Sequence, residues 1–188
     1  VEYDNFQSDS FDLPIEYKGF ELKKKIVYVG AVDEWFDDKI IDKVVSDNPH
    51  LEFFIIGPLR INLDHLRNYP NIHILGPIEY KQVPPFLHFA DIGIIPFKKT
   101  DLTNNINPIK VYEYAAAGLP VIATDLAELS YIIHNKSLPI YLFSNAREFS
   151  SYLNCVNKNE IYSRIMKQFA RDNTWEKRGE IILNDIEN

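Results

Sequence analysis

From Lys25 onward, short apolar runs alternate with stretches whose apolar positions recur every three or four residues. The runs at 26–29, 51–56, 72–75, 91–96 and 119–123 are apolar without alternation, as in strands covered on both faces, and 140–142 adds a sixth candidate. Phe36, Ile40, Ile41, Val44 and Val45 fall at helical spacing before Asn48-Pro49, a stop signal. A second helix is predicted over 108–117, with Asn107 as its N-cap, Pro108 at its first position and Gly118 as its stop. After Asn145 the pattern is helical in three stretches: up to Leu153, over 159–171, and over 175–186. Trp175, Ile182, Leu183 and Ile186 share one face of the last of these, so that helix is expected to dock on something apolar. Strands alternating with amphipathic helices predict the α/β class, a Rossmann-like doubly wound parallel sheet with C-terminal helices. Residues 1–24 show no period and read as a linker or arm lying over a surface; 25–172 form the sheet domain and 173–188 the terminal helix.

Charge narrows the function. Twenty Lys and Arg stand against 27 Asp and Glu, a net charge of −7, which disfavours a protein that tracks nucleic-acid phosphates. Cys155 is the only cysteine, so no internal disulfide forms and a reducing compartment is expected. No apolar run approaches the ~20 residues that a bilayer requires. The sequence opens on Val1 and its only methionine is Met166, from which part of a longer protein is expected.

Gly30, Gly57 and Gly76 directly follow the first three predicted strands, on the edge where open α/β sheets bind ligands. Each is also compatible with a plain tight turn. Lys110 and Glu113, three apart on the 108–117 helix, occupy neighbouring positions on one face. A cation at a helix start opposes the dipole, which makes sense where an anion also binds, and a carboxylate one turn deeper can accept both hydroxyls of a vicinal diol such as a ribose. The same pair also reads as an ordinary surface ion pair worth ~0.3–0.5 kcal/mol.

The run Asn107-Pro108-Ile109-Lys110-Val111-Tyr112-Glu113-Tyr114-Ala115-Ala116-Ala117-Gly118-Leu119-Pro120-Val121-Ile122-Ala123-Thr124 resembles the donor-site signature of family 4 (group 1) glycosyltransferases of GT-B fold. Tyr28 to Asp37, Asn71 to Ile78, Ala90 to Phe97 and Asn173 to Arg178 follow the same family's spacing, so the resemblance covers about 25–186. It implies the second of two Rossmann-like domains, the one that binds a nucleoside-diphosphate sugar, with an N-terminal acceptor domain as its missing partner. It further implies a retaining transfer, in a branch associated with cell-surface polysaccharide synthesis, without cofactor or obligatory metal. Glu113 takes the place of the second glutamate of an E-x7-E pattern and would hold the ribose. Asn105 stands where the first glutamate faces the donor sugar, so the catalytic positions implied are Asn105 and Lys110. The donor-binding set implied is Gly30, Asp33, Gly57, Ile78, Asn107, Lys110 and Glu113. The family's arginine and lysine after the first strand are replaced here by Asp33, Glu34, Trp35 and Asp37. Diphosphate charge then falls to Lys110 and to backbone amides near Gly30 and Asn107, with Lys98 and Lys99 either assisting or forming a solvated loop pair. A cytoplasmic location is expected, with any contact to the inner face of the membrane made by the absent half.

Competing classes leave weaker traces. No Asp-x-Asp occurs, the five histidines show no ligand spacing, and neither a Gly-x-Gly-x-x-Gly nor a Walker pattern is present. His73 reads as a packing histidine, Cys155 as a filler of a helix face, and Trp35 either stacks on a ligand or packs on its loop. The alternative that stays open is a nucleotide-binding Rossmann-like module without transfer activity, since Asn105 is the kind of change such a loss would leave.

Overall fold

Lys-Ile-Val-Tyr-Val has no polar face for solvent, and in the computed structural model it forms β1 (Lys25–Val29), buried throughout. The structure describes residues 1–8, 10–134 and 136–180. Five more strands join it: β2 (Glu52–Ile56), β3 (Ile72–Gly76), β4 (Ile92–Ile95), β5 (Val121–Thr124) and β6 (Ile140–Phe143). All pair in parallel, in the order β3-β2-β1-β4-β5-β6, so the chain runs outward from β1, returns to the centre, and runs outward again the other way. The predicted doubly wound sheet is the observed one.

Seven helices lying wholly within the described residues connect and cover the strands: α1 (Asp38–Asp47), α2 (Val83–His88), α3 (Asp101–Asn104), α4 (Lys110–Ala116), α5 (Ala127–His134), α6 (Ala146–Cys155) and α7 (Glu160–Arg171). Right-handed crossovers place α1 and α4 on opposite faces. The chain then lays α6 against α1 and α7 against α4. Asp37, Asn145 and Asn159 each cap the helix that follows by accepting a backbone N–H two to three residues into it. Phe36 lies outside α1, against the helical expectation, because it is drawn into a backbone bridge with Phe97. Cys155 is exposed at the end of α6 and fills no helix face.

The first 24 residues are more than a surface arm. Tyr17 is fully buried, edge-on to Phe54 and Phe86, and its hydroxyl donates to the Phe86 carbonyl. Phe20 packs on Phe54 and on His73, whose ring stacks on Phe54 while its Nε2 lies 2.9 Å from Glu52. The segment therefore completes the core over β2 and β3. The terminal helix begins at 175 with Trp175 half exposed; Ile182, Leu183 and Ile186, predicted to share its apolar face, lie outside the described residues.

At the centre of the sheet, β1 and β4 pair only through Ile26–Ile92 and Val27–Gly93 and then part. Tyr114 of α4, fully buried, fills the gap. Its hydroxyl accepts from the Val29 N–H at 3.0 Å and donates to the Ile94 carbonyl at 3.2 Å, restoring the bonds that the separating strands cannot make. Its ring passes so close to Gly93 that any Cβ there would sit 2.5 Å from it. Tyr114→Phe is expected to lower unfolding free energy by ~1–3 kcal/mol in urea titrations, because it leaves both backbone groups buried and unpaired. Gly93→Ala is expected to be destabilising as well, by ~1–3 kcal/mol of overpacking, with the two losses less than additive.

Candidate functional site

The parting of β1 and β4 is the topological switch point of the sheet, where a crevice opens beyond the strand ends. Gly30 and Gly57 line it at φ values of +143° and +141°, backbone conformations that side-chain-bearing residues rarely take. A Cβ on Gly57 would overlap the Gly30 carbonyl, and one on Gly30 would overlap Cε and Nζ of Lys110. Gly30 thus leaves room for the Lys110 side chain across the end of β1, and Gly57 leaves room for the Gly30 carbonyl. Their amides are not free for a ligand: Gly30 N–H donates to Ile56 and Gly57 N–H to Gly76, each at 2.8 Å. Any diphosphate contact from backbone near Gly30 therefore excludes the Gly30 amide itself.

Lys110 lies with Nζ 5.4 Å from the ring centroids of both Tyr28 and Phe97, and among the described residues no carboxylate comes within 4 Å of it. Burial pushes its pKa down, opposed only by the more distant charge of Glu113. Glu113, one turn on, is pushed the other way: burial raises its pKa, and the nearby Tyr80 hydroxyl together with the Lys110 charge only partly offsets this. The Tyr80 phenol is raised to about 12 by its own desolvation and by Glu113. A partly buried cation and a partly buried anion therefore share one helix face without closing on each other. Opposed shifts of this kind in a cleft mark candidate binding sites.

The remaining predicted residues are placed unevenly. Asn107 does not cap α4, which has no side-chain cap; its Nδ2 donates to the Tyr112 hydroxyl at 3.1 Å and its Oδ1 is buried without a partner. The fixed φ of Pro108 and the carbonyls of Pro108 and Ile109, which accept from Val111 and Tyr112, start the helix instead. Asn105 is exposed, its Nδ2 donates back to the Asp101 carbonyl at 2.7 Å, and it is not among the residues that line the cleft with Lys110. Asp33 holds Arg60 at 3.2 Å. Ile78 lies in the loop after β3, two residues before Tyr80. Lys98 and Lys99 are each paired locally, with Asp38 and Asp125.

Sequence reasoning missed Tyr80 and Arg60. Tyr80 reaches Glu113 from the β3 loop, and Arg60 supplies a cation at the β1–β2 edge that sequence spacing after β1 could not reveal. Beside Lys110, the loop after β1 is tied to the loop after β4 by Lys98 N–H to the Trp35 carbonyl at 2.7 Å and Asp37 N–H to the Pro96 carbonyl at 2.8 Å. These loops and the start of α4 enclose a cleft of about 240 Å³. A larger hollow of about 550 Å³ follows α7, but Lys158 on its rim bonds carbonyls that precede β4, at the opposite edge of the sheet. Among the described residues no group of three or more His, Cys, Asp or Glu could hold a metal, and no helix is long and apolar enough to cross a membrane.

Known proteins agree with this geometry. The family model for glycosyl transferases group 1 matches residues 23–157, and the chain belongs to that family. It is 28% identical over 159 residues to a Bacillus subtilis strain 168 protein named as the teichuronic acid biosynthesis glycosyltransferase TuaH, covering 79% of this chain and 39% of that one. Anabaena Alr3699/HepE, solved with UDP and glucose, shares the fold at a TM-score of 0.68 and 11% identity, over 90% of this chain and 50% of that one. An Escherichia coli trehalose-6-phosphate structure bound with UDP-2-fluoro glucose aligns over 100% of this chain and 50% of its own at a TM-score of 0.73 and 14% identity. The C-terminal domain of a group 1 glycosyl transferase, LpcC of Francisella tularensis, aligns over 92% of this chain and 95% of its own at 0.60 and 13%. The chain thus spans about half the length, or less, of the longer proteins it matches, and its fold is one half of GT-B.

Charge burial makes a stability test possible. Glu113 has its folded pKa raised above the ordinary 4.5, so the folded state holds the extra proton and stability falls as pH rises from 4.5 through the folded value. Glu113→Gln is therefore expected to melt higher than the parent at pH 8 when no nucleotide is present, with the gap closing toward pH 4. A variant that melts lower at pH 8 would mean that Glu113 stabilises the fold rather than waiting for a ligand.

Proposed function

We propose that this chain is the donor-binding half of a retaining glycosyltransferase, which moves a sugar from a nucleoside-diphosphate sugar to an acceptor in cell-surface polysaccharide synthesis without an obligatory metal. The observation that carries this reading is the pair of partly buried, opposite charges of Lys110 and Glu113 on one face of α4 at the switch-point crevice. The fold is shared with proteins solved holding UDP and glucose or UDP-2-fluoro glucose, and a relative is named for teichuronic acid biosynthesis, which supports both the donor class and the polysaccharide role.

The layout orders the donor along the crevice. Glu113, with the Tyr80 hydroxyl nearby, takes the ribose diol; Lys110 takes the diphosphate; the sugar points away from Glu113 into the cleft lined by Trp35 and Ile106. Transfer breaks the bond between the anomeric carbon and the diphosphate and forms one to the acceptor hydroxyl, on the same face in a retaining reaction. Negative charge grows on the departing diphosphate, and a partly buried cation already in place stabilises it with little reorganisation. Arg60, released from Asp33, adds a second cation at the strand edge. The acceptor and any contact with the inner face of the membrane belong to a partner domain, and the reaction is placed in the cytoplasm.

A second reading, nucleotide binding without transfer, is favoured by one observation. Asn105 stands where the family's sugar-facing glutamate is expected, and its amide is spent on the Asp101 carbonyl.

Calorimetric titration of the chain with nucleoside diphosphates tests the site. Glu113→Gln is expected to weaken binding by ~1–3 kcal/mol, the range for a hydrogen bond to a charged group. Lys110→Ala is expected to weaken diphosphate binding far more than nucleoside binding; equal losses would make Lys110 structural. The chain by itself is expected to bind donor and to transfer no sugar, with turnover returning when the acceptor half is supplied.

A further inference from the structure

The cleft beside Lys110 has side-chain walls that are almost wholly apolar: Trp35, Phe97, Ile106, Pro108 and Ile109, with Lys110 as the one charged group. Asn107, at its base, has its amide nitrogen committed to the Tyr112 hydroxyl and its Oδ1 sealed from solvent. Asn105, nearby in sequence, is not among the residues that line the cleft, and its Nδ2 donates back to the Asp101 carbonyl. A hexose placed here by a diphosphate on Lys110 meets hydrocarbon where a fully hydroxylated sugar needs partners, and each hydroxyl buried without one is penalised. Removing the hydroxyl at C6 turns that loss into contact between a methyl group and the Trp35 and Ile106 side chains.

We infer that the sugar this site accepts is a 6-deoxyhexose, whose C6 methyl packs against Trp35 and Ile106 in the apolar cleft beside Lys110. The inference rests on the reading of Lys110 and Glu113 as the nucleoside-diphosphate site and goes beyond it by naming the sugar class. Its lever is the missing side-chain acceptor, and its size is bounded: an apolar pocket rejects an added hydroxyl by roughly 10- to 100-fold and no more.

The two claims separate in one titration series. UDP and GDP are titrated alone, then UDP-glucose against UDP-6-deoxyglucose, GDP-mannose against GDP-6-deoxymannose, and UDP-N-acetylglucosamine as a further arm. Within each pair, base, diphosphate and sugar stereochemistry are constant and only the C6 hydroxyl differs. The expected result is tighter binding of the 6-deoxy member by roughly tenfold or more, on whichever base the chain accepts. Ile106→Asn, a substitution at a half-exposed loop position, is expected to narrow that ratio below about threefold by supplying an acceptor in the cleft. If UDP or GDP binds but both members of the pair bind equally, or the parent or the acetamido sugar binds best, the sugar assignment is overturned and the nucleotide site stands. An unchanged ratio in Ile106→Asn overturns the placement in this cleft. Absence of binding by both UDP and GDP overturns the nucleotide site and the sugar assignment together.

Discussion

Two hydrogen bonds to one phenol hold the site in place. Tyr114 bridges Val29 and Ile94 where the central strands separate, so α4 is pinned by its middle to the backbone of the two strands that form the crevice. Lys110 lies one turn before that pin and Glu113 is its immediate neighbour, and their positions follow from it. A helix resting on the sheet by apolar contact alone could slide or rotate; one stitched into the strand ladder cannot do so without unpairing two buried backbone groups. Gly93 is the counterpart of this anchor, the strand residue whose missing side chain leaves room for the ring.

Given that anchor, the electrostatics of the site follow from steric permission. Gly30 yields its side-chain space to Lys110, and Gly57 yields its own to the Gly30 carbonyl. The lysine is thereby laid over Tyr28 and Phe97, where quadrupole attraction replaces only part of its lost hydration. Glu113 is partly buried on the same face, with the Tyr80 hydroxyl nearby and the Lys110 charge more distant. Partial burial already orients both groups, which lowers the cost of ordering them for any ligand that pairs with them.

The assignment to glycosyl transferases group 1 fits this physics without being required by it, since the same doubly wound sheet serves unrelated chemistries. What separates this site from a generic Rossmann crevice is the charge pair on α4, together with an apolar cleft that Lys110 borders. The departures from the family's pattern are coherent. Where basic residues are absent after β1, Arg60 stands on the adjoining loop; where a sugar-facing carboxylate is absent, the walls are hydrocarbon.

The order of apolar runs and helical periods determined the six parallel strands, the fold class and the position of α4, because burial on both faces and amphipathic spacing are local properties of the chain. Lys110 and Glu113 were legible for the same reason: three-residue spacing on a helix fixes a shared face whatever surrounds it. Contacts between distant segments were beyond that reach. That Tyr80 meets Glu113, that Arg60 stands at the edge of β1, that residues 1–24 bring Tyr17 into the core, and that Asn107 turns to Tyr112 instead of capping α4 are all decided by packing. A local pattern specifies which face a residue occupies on its own element, whereas the partner it finds there depends on how the elements close around the β1–β4 gap.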